Sequence, residues 1–354
     1  MAYFGTSAGD GIFANLATEI FGLGDGDYII GRTVAEDIYG GFGNDLIMGS
    51  DWGSILGAGT FADPYRYSGF VVNSGDDLLV GDDGNDAIYG GDGNDIIAGG
   101  SGSDNGINFL DFNNSYVKSG LYGGDGNDII YGDAGNDELF GENGDDQLFG
   151  GTEDDVLNGG ANNDKLYGDD GSDTLYGGTG LDNMQGGNGD DMLIGEDNND
   201  AMNGNAGYDR LIGGLGDDAL YGGADNDSLY GDDGVDTLIG GAGVDYMNGG
   251  VGADKYRYDG LADTGDVIRF FSSIDTIQLK GSVFGGLAAG ALAEARFKSN
   301  STGLATETDD RFIYNTTNDN LYYDSNGSTA GGTKVLIADF SNNFAMEFLD
   351  ITII

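Results

Sequence analysis

Two residue types are missing from the 354-residue chain, which contains no cysteine and no histidine. The absence of cysteine excludes disulfide bonds and thiolate metal sites. The absence of histidine excludes Ser-His-Asp and Cys-His catalysis, histidine general bases and the usual histidine-rich zinc sites. The functions that remain must rely on oxygen ligands, carboxylates or surface recognition.

Proline and basic residues are scarce. One proline against 71 glycines argues against collagen and against a proline-rich disordered segment. The 13 Lys and Arg residues face 62 Asp and Glu residues, for a net charge of -49. Such a field repels nucleic acid and anionic membranes, so we expect neither as a partner. It also opposes a compact state unless counter-ions neutralise it, which implies bound cations.

Long apolar runs are also absent. No run approaches the roughly 18 residues that a transmembrane helix needs, so we expect no transmembrane insertion. Residues 1–20 lack the basic n-region and the apolar core of a cleavable signal peptide. We therefore expect any export to proceed without one.

A nine-residue unit is present instead, and it recurs fifteen times in phase between Gly123 and Tyr258. It begins as GGDGNDIIY (123–131) and ends as GGVGADKYR (249–257). Position one is always Gly, position six is always Asp, and position eight is always large and apolar. A Gly-rich acidic stretch alone is typical of a linker or a disordered tail. Three positions locked in phase through fifteen units predict a repeat architecture instead.

Each unit divides into a turn and a short strand. Glycines at positions one, two and four allow positive φ and let backbone carbonyl oxygens converge on a point. The last three residues then form a strand whose side chains point outward, inward and outward. Two units per coil build a flattened solenoid in which residues eighteen apart are neighbours, about 4.8 Å from one another. The predicted fold class is all-β: a parallel β-roll, a two-sheet solenoid with 18 residues per turn, and a small β-rich C-terminal cap.

The position-six Asp residues then stack, from Asp128 over Asp146 to Asp236 over Asp254. The array supplies thirteen such pairs, and earlier units add Asp77 with Asp95 and Asp86 with Asp104. Stacked carboxylates repel one another unless a cation lies between them. Carboxylate and carbonyl oxygens suit Ca²⁺ better than Mg²⁺, and the chain offers no soft ligands for transition metals. Fifteen divalent ions would offset about 30 of the 49 negative charges.

The predicted Ca²⁺ ligands are the side chains of Asp45, Asp77, Asp86, Asp95, Asp104, Asp128, Asp137, Asp146, Asp155, Asp164, Asp173, Asp182, Asp191, Asp200, Asp209, Asp218, Asp227, Asp236, Asp245 and Asp254.

The pattern resembles the consensus GGxGxDxUx, with U a large apolar residue, of the RTX (repeats-in-toxin) haemolysin-type calcium-binding proteins. The resemblance covers the array and earlier units such as GGFGNDLIM (40–48). It implies a parallel β-roll with Ca²⁺ between the turns, held by the position-six Asp and by carbonyl oxygens of adjacent turns. Position four departs from Gly at Glu153, Asn162, Asn198 and Asp225. Asn and Asp tolerate left-handed geometry, so we expect those turns to persist, and Glu153 fits least well.

After Tyr258 the acidic residues thin out and strand-forming residues become frequent. The predicted short strands are 267–271, 275–279, 311–315, 320–324, 334–340 and 348–354. LAAGALAEARF (287–297) is compatible with a short helix. This ending is also similar to that of RTX proteins exported by type I secretion. The similarity implies an uncleaved C-terminal signal, delivery to the cell surface or medium, and folding in external Ca²⁺.

Three segments are predicted along the chain. Residues 1–122 form an irregular RTX roll with insertions at 49–74 and 105–119. Residues 123–258 form the regular roll, and residues 259–354 form the cap and secretion-signal region. The first insertion carries Trp52, Tyr65, Tyr67 and Phe70, which fit either a lid over an apolar edge or a binding loop.

Nearly the whole chain is therefore roll and cap, which leaves no stretch for a catalytic domain, and we expect no enzymatic activity. A carboxylate-pair glycosidase stays open because Asp is abundant, although Ca²⁺ already accounts for the phased Asp residues. The leading hypothesis is a secreted Ca²⁺-binding protein that acts as a structural, adhesive or self-assembling component of a surface layer, fibre or biofilm matrix. It rests on that elimination, on open solenoid edges and on outward aromatics such as Tyr131, Phe149 and Tyr167.

Alternatives remain for these features. Outward aromatics also follow from ordinary β-propensity and cross-strand stacking. A second function is an extracellular polysaccharide-binding module that uses the aromatics of residues 49–74. A third is a calcium carrier that does not assemble.

Overall fold

The computed structural model describes most of the chain from residue 120 onward and a series of strands before it. The described residues are 2–4, 11–14, 19–21, 28–31, 37–39, 46–48, 55–57, 78–80, 87–92, 95–99, 109–110, 116–117, 120–306, 310–325, 334–340, 346–347 and 350–354. They belong to two compact units, Met1–Gly187 and Asn188–Ile354.

Short strands make up the first unit. In chain order they are β1 (Ala2–Phe4), β2 (Gly11–Ala14), β3 (Glu19–Phe21), β4 (Tyr28–Gly31), β5 (Asp37–Tyr39), β6 (Leu46–Met48), β7 (Ile55–Gly57), β8 (Leu78–Val80), β9 (Ala87–Asp92), β10 (Ile96–Ala98), β11 (Phe109–Leu110), β12 (Tyr116–Val117), β13 (Leu121–Asp125), β14 (Ile129–Ala134), β15 (Glu138–Asn143), β16 (Gln147–Thr152), β17 (Val156–Ala161), β18 (Lys165–Asp170), β19 (Thr174–Thr179) and β20 (Asn183–Asn188).

These strands alternate between two parallel sheets. One sheet runs β1-β3-β5-β7-β9-β13-β15-β17-β19. The other runs β2-β4-β6-β8-β10-β14-β16-β18. In the array the paired residues are eighteen positions apart, as Ile130 and Leu148 are. This register is the one that the nine-residue period predicts.

The roll extends further towards the N-terminus than the clear repeats do. Ala2 pairs with Glu19, seventeen residues later, and Glu19 pairs with Asp37, eighteen residues later. β7 lies inside the predicted insertion 49–74 and pairs in parallel with β5 and β9. Across 105–119 the spacing rises to 33 residues, as between Ile88 and Leu121, and the span contains the antiparallel pair β11–β12. The coil geometry therefore persists where the motif is degenerate.

The second unit continues the array and then adds the cap. Its elements are β21 (Met192–Asp197), β22 (Ala201–Ala206), β23 (Arg210–Leu215), β24 (Ala219–Ala224), β25 (Ser228–Asp233), β26 (Thr237–Ala242), β27 (Tyr246–Val251), β28 (Lys255–Tyr258), β29 (Asp266–Ile268), β30 (Thr276–Leu279), β31 (Gly290–Ala291), a 3₁₀ turn (Glu294–Arg296), β32 (Phe297–Asn300), β33 (Phe312–Asn315), β34 (Asn320–Asp324), β35 (Lys334–Phe340) and β36 (Ile351–Ile353).

Cap strands add directly to both roll sheets of this unit. One sheet runs in parallel through β21-β23-β25-β27-β29-β35 and continues through β34, β33 and β32. The other runs through β22-β24-β26-β28-β30-β36 and ends with the antiparallel strand β31. The unit is a parallel β-roll with a β-rich cap, and the predicted fold class is confirmed.

The helix considered for 287–297 is wrong. Gly290 has φ +131°, and Ala291 pairs with Thr352 of β36 in antiparallel fashion, so Gly290 and Ala291 form an edge strand of the sheet. Only a 3₁₀ turn at Glu294–Arg296 separates it from β32. A segment of about eleven residues gains little from an isolated helix, whereas strand pairing satisfies its backbone groups.

Array strands are longer than the three residues predicted. They run for six residues, from position seven to position three of the next unit, as in β14. Pairing is interrupted at position one: Tyr131 pairs with Phe149 and Asp133 with Gly151, while Gly132 is skipped. The chain therefore bends at that glycine and continues to pair beyond it.

The core is a single file of position-eight side chains between the sheets. Leu139, Leu148 and Leu157 in the first unit and Leu211 and Leu229 in the second have no exposed surface. Residues on either side of them are partly exposed, as the outward-inward-outward pattern predicts. Each array strand therefore contributes one large apolar side chain, that of its position-eight residue, to the buried core.

Candidate metal centre

The position-six Asp residues form a hydrogen-bonded ladder along each unit. The backbone N–H of each Asp donates to Oδ1 of the Asp eighteen residues later, for example Asp128 to Asp146 at 2.7 Å and Asp218 to Asp236 at 2.9 Å. The same bond joins Asp137 to Asp155, Asp146 to Asp164, Asp155 to Asp173, Asp164 to Asp182, Asp191 to Asp209, Asp200 to Asp218, Asp209 to Asp227, Asp227 to Asp245 and Asp236 to Asp254.

The ladder satisfies Oδ1 of each accepting carboxylate, and Oδ2 of many of them is left without such a bond. Oδ2 is buried and accepts no hydrogen bond at Asp128, Asp146, Asp155, Asp164, Asp209, Asp218, Asp227 and Asp236. A buried carboxylate oxygen without a partner is costly, because burial removes its water and nothing replaces it. The repetition of this arrangement indicates a ligand that the protein itself does not supply.

The glycine at position one indicates where a ligand of Asp Oδ2 would lie. A Cβ atom placed on Gly150 would come within 2.5 Å of Asp155 Oδ2 and 2.8 Å of the carbonyl oxygen of Gly168. A carboxylate oxygen and a carbonyl oxygen of the next coil therefore converge on one point, which only glycine leaves open. Gly150 at position one does not adopt the positive φ that glycine allows, whereas Gly151 at position two has φ +115°.

Position-four substitutions keep the turn geometry. Glu153, Asn162, Asn198 and Asp225 all have φ between +75° and +82°. Glu153, the least suitable of them, accepts a hydrogen bond through Oε2 from the N–H of Gly135 at 3.2 Å and from the hydroxyl of Thr152 at 2.6 Å. These bonds offset part of the strain of a left-handed residue with a long side chain.

Burial changes the acidity of the ladder. Loss of solvation, reinforced by neighbouring carboxylates and opposed by the backbone hydrogen bond, raises the pKa of Asp155, Asp164 and Asp227 to about 8. The same causes raise the pKa of Asp128 and Asp236 to about 7. A stack of charged carboxylates is thus unfavourable in this environment unless a cation neutralises it.

The oxygens present fit Ca²⁺. Carboxylate and carbonyl oxygens are the hard donors that Ca²⁺ takes in six- to eight-coordinate, flexible geometry. Among the described residues no three Asp or Glu side chains gather as one cluster, so each ion would draw most of its ligands from turn carbonyls. Bound Ca²⁺ supplies the positive charge that stacked turns lack, while the Asp side chains and glycines position the oxygens.

The predicted ligands can now be placed. Asp128 to Asp254 at position six, together with Asp95, are buried in the ladders, and Asp95 N–H reaches Asp128 Oδ1 at 2.7 Å across the 105–119 span. Asp45, Asp77, Asp86 and Asp104 lie outside the described residues, as do Trp52, Tyr65, Tyr67 and Phe70.

A second ladder was missed by sequence reasoning. At position five, the side chain of Asn or Asp accepts the N–H of the position-five residue eighteen positions later, as Asn127 does from Asp145 at 2.9 Å. Asp217 accepts in this way from Val235 at 2.8 Å, and Asn226 accepts from Val244 at 2.7 Å. The frequent Asn and Asp at this position were the available signal.

Fold and site together define a calcium-binding parallel β-roll. Carboxylate and carbonyl oxygens converge in the turns of its coils. A family model for the RTX calcium-binding nonapeptide repeat (four copies) matches residues 72–105, 121–148, 140–175, 149–182, 176–211, 194–229, 204–238, 221–256 and 230–264. These matches cover half of the chain, and the chain belongs to this family. The comparison with curated proteins found no match. In its described part, the chain has no helix with the length and hydrophobicity to cross a bilayer.

Proposed function

We propose that this protein is a secreted calcium-binding RTX protein that folds when its position-six Asp residues bind Ca²⁺ between adjacent coils. The buried Asp Oδ2 atoms that face a turn carbonyl carry this proposal. Ca²⁺ links oxygens from successive coils, so binding and folding are one equilibrium. Low cytosolic Ca²⁺ then leaves the chain open for export, and external Ca²⁺ folds it.

Circular dichroism of the full chain tests this coupling. We expect a change from disordered to β signal on addition of Ca²⁺, reversal by a chelator, and a much weaker response to Mg²⁺. A fully folded Ca²⁺-free protein at neutral pH and low salt would remove the proposal.

The finer role proposed for the folded roll is structural, through packing of its flat faces. Of the thirty outward positions seven and nine in the array, only Glu138 carries a carboxylate. The remaining acids of the repeats lie at positions two to six, and those at positions two and three, such as Asp133 and Asp169, fall in the second half of the strands. On the first unit, Tyr131, Phe149 and Tyr167 form a stack with ring centroids 4.9 Å apart. Outward positions that carry stacked aromatic rings and few carboxylates support lateral packing of one copy against another.

Light scattering and electron microscopy across a Ca²⁺ titration test this assembly. We expect larger particles only above the Ca²⁺ concentration that folds the roll. Gln147→Asp, which places a charge on the aromatic face, should reduce particle size while the folding midpoint stays the same. A strict monomer at millimolar Ca²⁺ would leave calcium binding intact and remove the assembly role.

A polysaccharide-binding role has separate support in the second unit. Arg210 lies over the ring of Tyr230 at 4.8 Å, Tyr230 contacts Tyr246 at 5.6 Å, and Arg269 lies over Tyr246 at 5.5 Å. The one ion pair among the described residues is Arg257 with Asp259, so Arg210 and Arg269 face rings rather than carboxylates. Exposed guanidinium groups beside half-buried phenol rings in one row suit a chain of uronic acid sugars.

Calorimetry with soluble uronic acid oligosaccharides at constant Ca²⁺ tests this second role. We expect binding by the parent protein and a loss of about tenfold or more in Arg210→Ala/Arg269→Ala, the energy of roughly one charge-assisted contact. Arg257→Ala is the control, because that arginine is already paired. Equal binding by all three proteins would assign recognition elsewhere.

A further inference from the structure

One edge of the second unit, here called the crossing edge, consists of the segments 231–236, 249–254 and 269–275. At each of them the chain crosses from the sheet of β25, β27 and β29 to the sheet of β26, β28 and β30. The three segments are neighbours, because β25 pairs with β27 and β27 pairs with β29. Successive segments therefore lie one strand spacing, about 4.8 Å, apart.

The last two segments of the crossing edge, both described in full, expose large apolar side chains and no carboxylate. Val251 is 71% exposed, Phe270 is 65% exposed and Ile274 is 61% exposed. The carboxyl groups in the same segments, those of Asp254 and Asp275, are buried. On a chain with a net charge of -49, an exposed apolar surface without carboxylates indicates a contact surface.

The fold itself directs Phe270 outward. This residue has φ +57°, a left-handed value that is unfavourable for a bulky side chain. Its neighbour Phe271 is buried and contacts Tyr256 and Phe340, with ring centroids 5.6 Å and 5.1 Å apart. The core fixes Phe271, and Phe270 points to solvent at a cost in backbone strain. Burial of that ring against a partner is favourable.

The charges on the two sides of Val251 are opposite in sign. Asp233, which pairs with Val251 on the preceding strand, is exposed. Arg269, in the following segment, is also exposed; it lies over the ring of Tyr246 and takes part in no ion pair among the described residues. A two-fold axis at Val251 would place Asp233 of each copy opposite Arg269 of the other. The crossing edge is therefore complementary to itself.

We propose that a second copy of this chain docks antiparallel on the crossing edge, with the two-fold axis at Val251. The order of apolar residues fits this arrangement, since Val235, 37% exposed, would meet Phe270 and Ile274 of the other copy. The inference rests on the proposed folding of the roll in Ca²⁺. It is separate from the packing of the aromatic faces on the first unit.

Sedimentation velocity of the full-length protein over a concentration series tests the dimer. The Gln147→Asp background limits packing through the aromatic face. The crossing edge is small, so we expect a reversible dimer that dissociates on dilution. Val251→Asp opposes two carboxylates at the axis and should give a monomer, and the fold should tolerate it because Asp233 occupies the same position of an earlier unit. Val244→Asp, at a 55% exposed valine outside the crossing edge, is the matched control and should leave the dimer unchanged.

A charge exchange tests the antiparallel register. Asp233→Arg and Arg269→Asp should each weaken the dimer by about tenfold or more, because each replaces an opposite-charge contact with a like-charge contact twice per dimer. The double variant should restore most of the affinity. Arg210→Asp, at another arginine that lies over a tyrosine ring, is the control and should have no effect.

Each outcome bears on the proposal. A parent protein that stays monomeric throughout the series, or an unchanged dimer in Val251→Asp, would overturn it. Failure of the double variant to restore the dimer would overturn the antiparallel pairing. Binding of a monomeric parent to zwitterionic phosphatidylcholine vesicles, lost in Val251→Asp, would assign the edge to a lipid surface instead.

The dimer and the proposed function can fail separately. Association is measured wherever circular dichroism shows a folded roll. A roll that folds without Ca²⁺ would therefore remove the calcium proposal and leave the dimer test unchanged, whereas a folded monomer in Ca²⁺ would remove only the dimer.

Discussion

At the scale of single residues, the position-one glycine and the position-six aspartate of each unit form one proposed binding arrangement. In the proposed site, an ion lies beside Oδ2 of the carboxylate, and the backbone at that point must carry no side chain. Gly150 is therefore required for space and not for positive φ, since a Cβ there would lie 2.5 Å from Asp155 Oδ2. The invariance of position one within this chain follows from that geometry.

Gly150→Ala should lower Ca²⁺ binding more than it lowers the β content. The added methyl group lies in the space where Asp155 Oδ2 and the Gly168 carbonyl oxygen converge, so we expect one or two fewer ions by native mass spectrometry. The rest of the roll should persist, because repeat arrays lose stability one interface at a time. Gln147→Ala at an outward position is the control, and a full ion count in Gly150→Ala would contradict the proposed position of the ion.

The position-five ladder separates stability from metal binding. Asp217 accepts the N–H of Val235 at 2.8 Å through an exposed side chain. Asp217→Ala should reduce stability by about 0.5–1.5 kcal/mol, the usual net value of one hydrogen bond, without loss of Ca²⁺. Asp217→Asn keeps the acceptor and should restore the thermal midpoint. A fall in ion count with Asp217→Ala would instead place this residue at the metal.

At the scale of elements, the coil is held by columns of like residues on successive strands. Phe149 stacks on Tyr131 on one side and on Tyr167 on the other, with ring planes within 12° of parallel. Ring faces are therefore used within the column, and ring edges point outward. The aromatic column stabilises the sheet and leaves a flat surface.

Phe149→Ala should destabilise the Ca²⁺-bound roll more than Tyr131→Ala. The central ring loses two stacking contacts and the outer ring loses one, and each such contact contributes about 0.5–1.5 kcal/mol. Thermal unfolding of both variants in excess Ca²⁺ measures the difference. Equal midpoints would mean that the column contributes through burial alone.

The sequence predicts repeated elements well and singular ones poorly. The eighteen-residue register, the buried position-eight side chains and the cap strands could all be predicted, because periodicity and strand propensity are local signals. Within the predicted irregular roll 1–122, the positions of strands β1 to β5 could not be predicted, since the sequence there lacks the full glycine and aspartate pattern. Two acceptors beyond the array, Asp266 and Asp275, continue the Asp ladders and were missed for a related reason: their 21-residue spacing breaks the period, and only tertiary pairing reveals it.

At the scale of the whole molecule, charge decides when the chain is compact. A net charge of -49 includes ladder carboxylates that burial makes difficult to ionise. Either Ca²⁺ or protons can relieve this repulsion, and they compete for the same oxygens. We therefore expect calcium and pH to be linked controls of folding.

The Ca²⁺-free protein should become more folded as the pH falls from 8 to 5. The pKa of Asp155, Asp164 and Asp227 is about 8 in the folded roll against 3.8 for an ordinary Asp. Between these values the folded state binds more protons than the unfolded state, so its stability decreases as the pH rises and the full penalty applies above about pH 8.

Circular dichroism in chelator at pH 5 and pH 8 measures this pH dependence. The Ca²⁺ concentration needed for folding should rise at pH 5, because protons must be displaced from the ladder carboxylates. Asp155→Asn should flatten the pH dependence in part, whereas greater folding at pH 8 than at pH 5 without Ca²⁺ would show that ladder carboxylates are not what opposes the compact state.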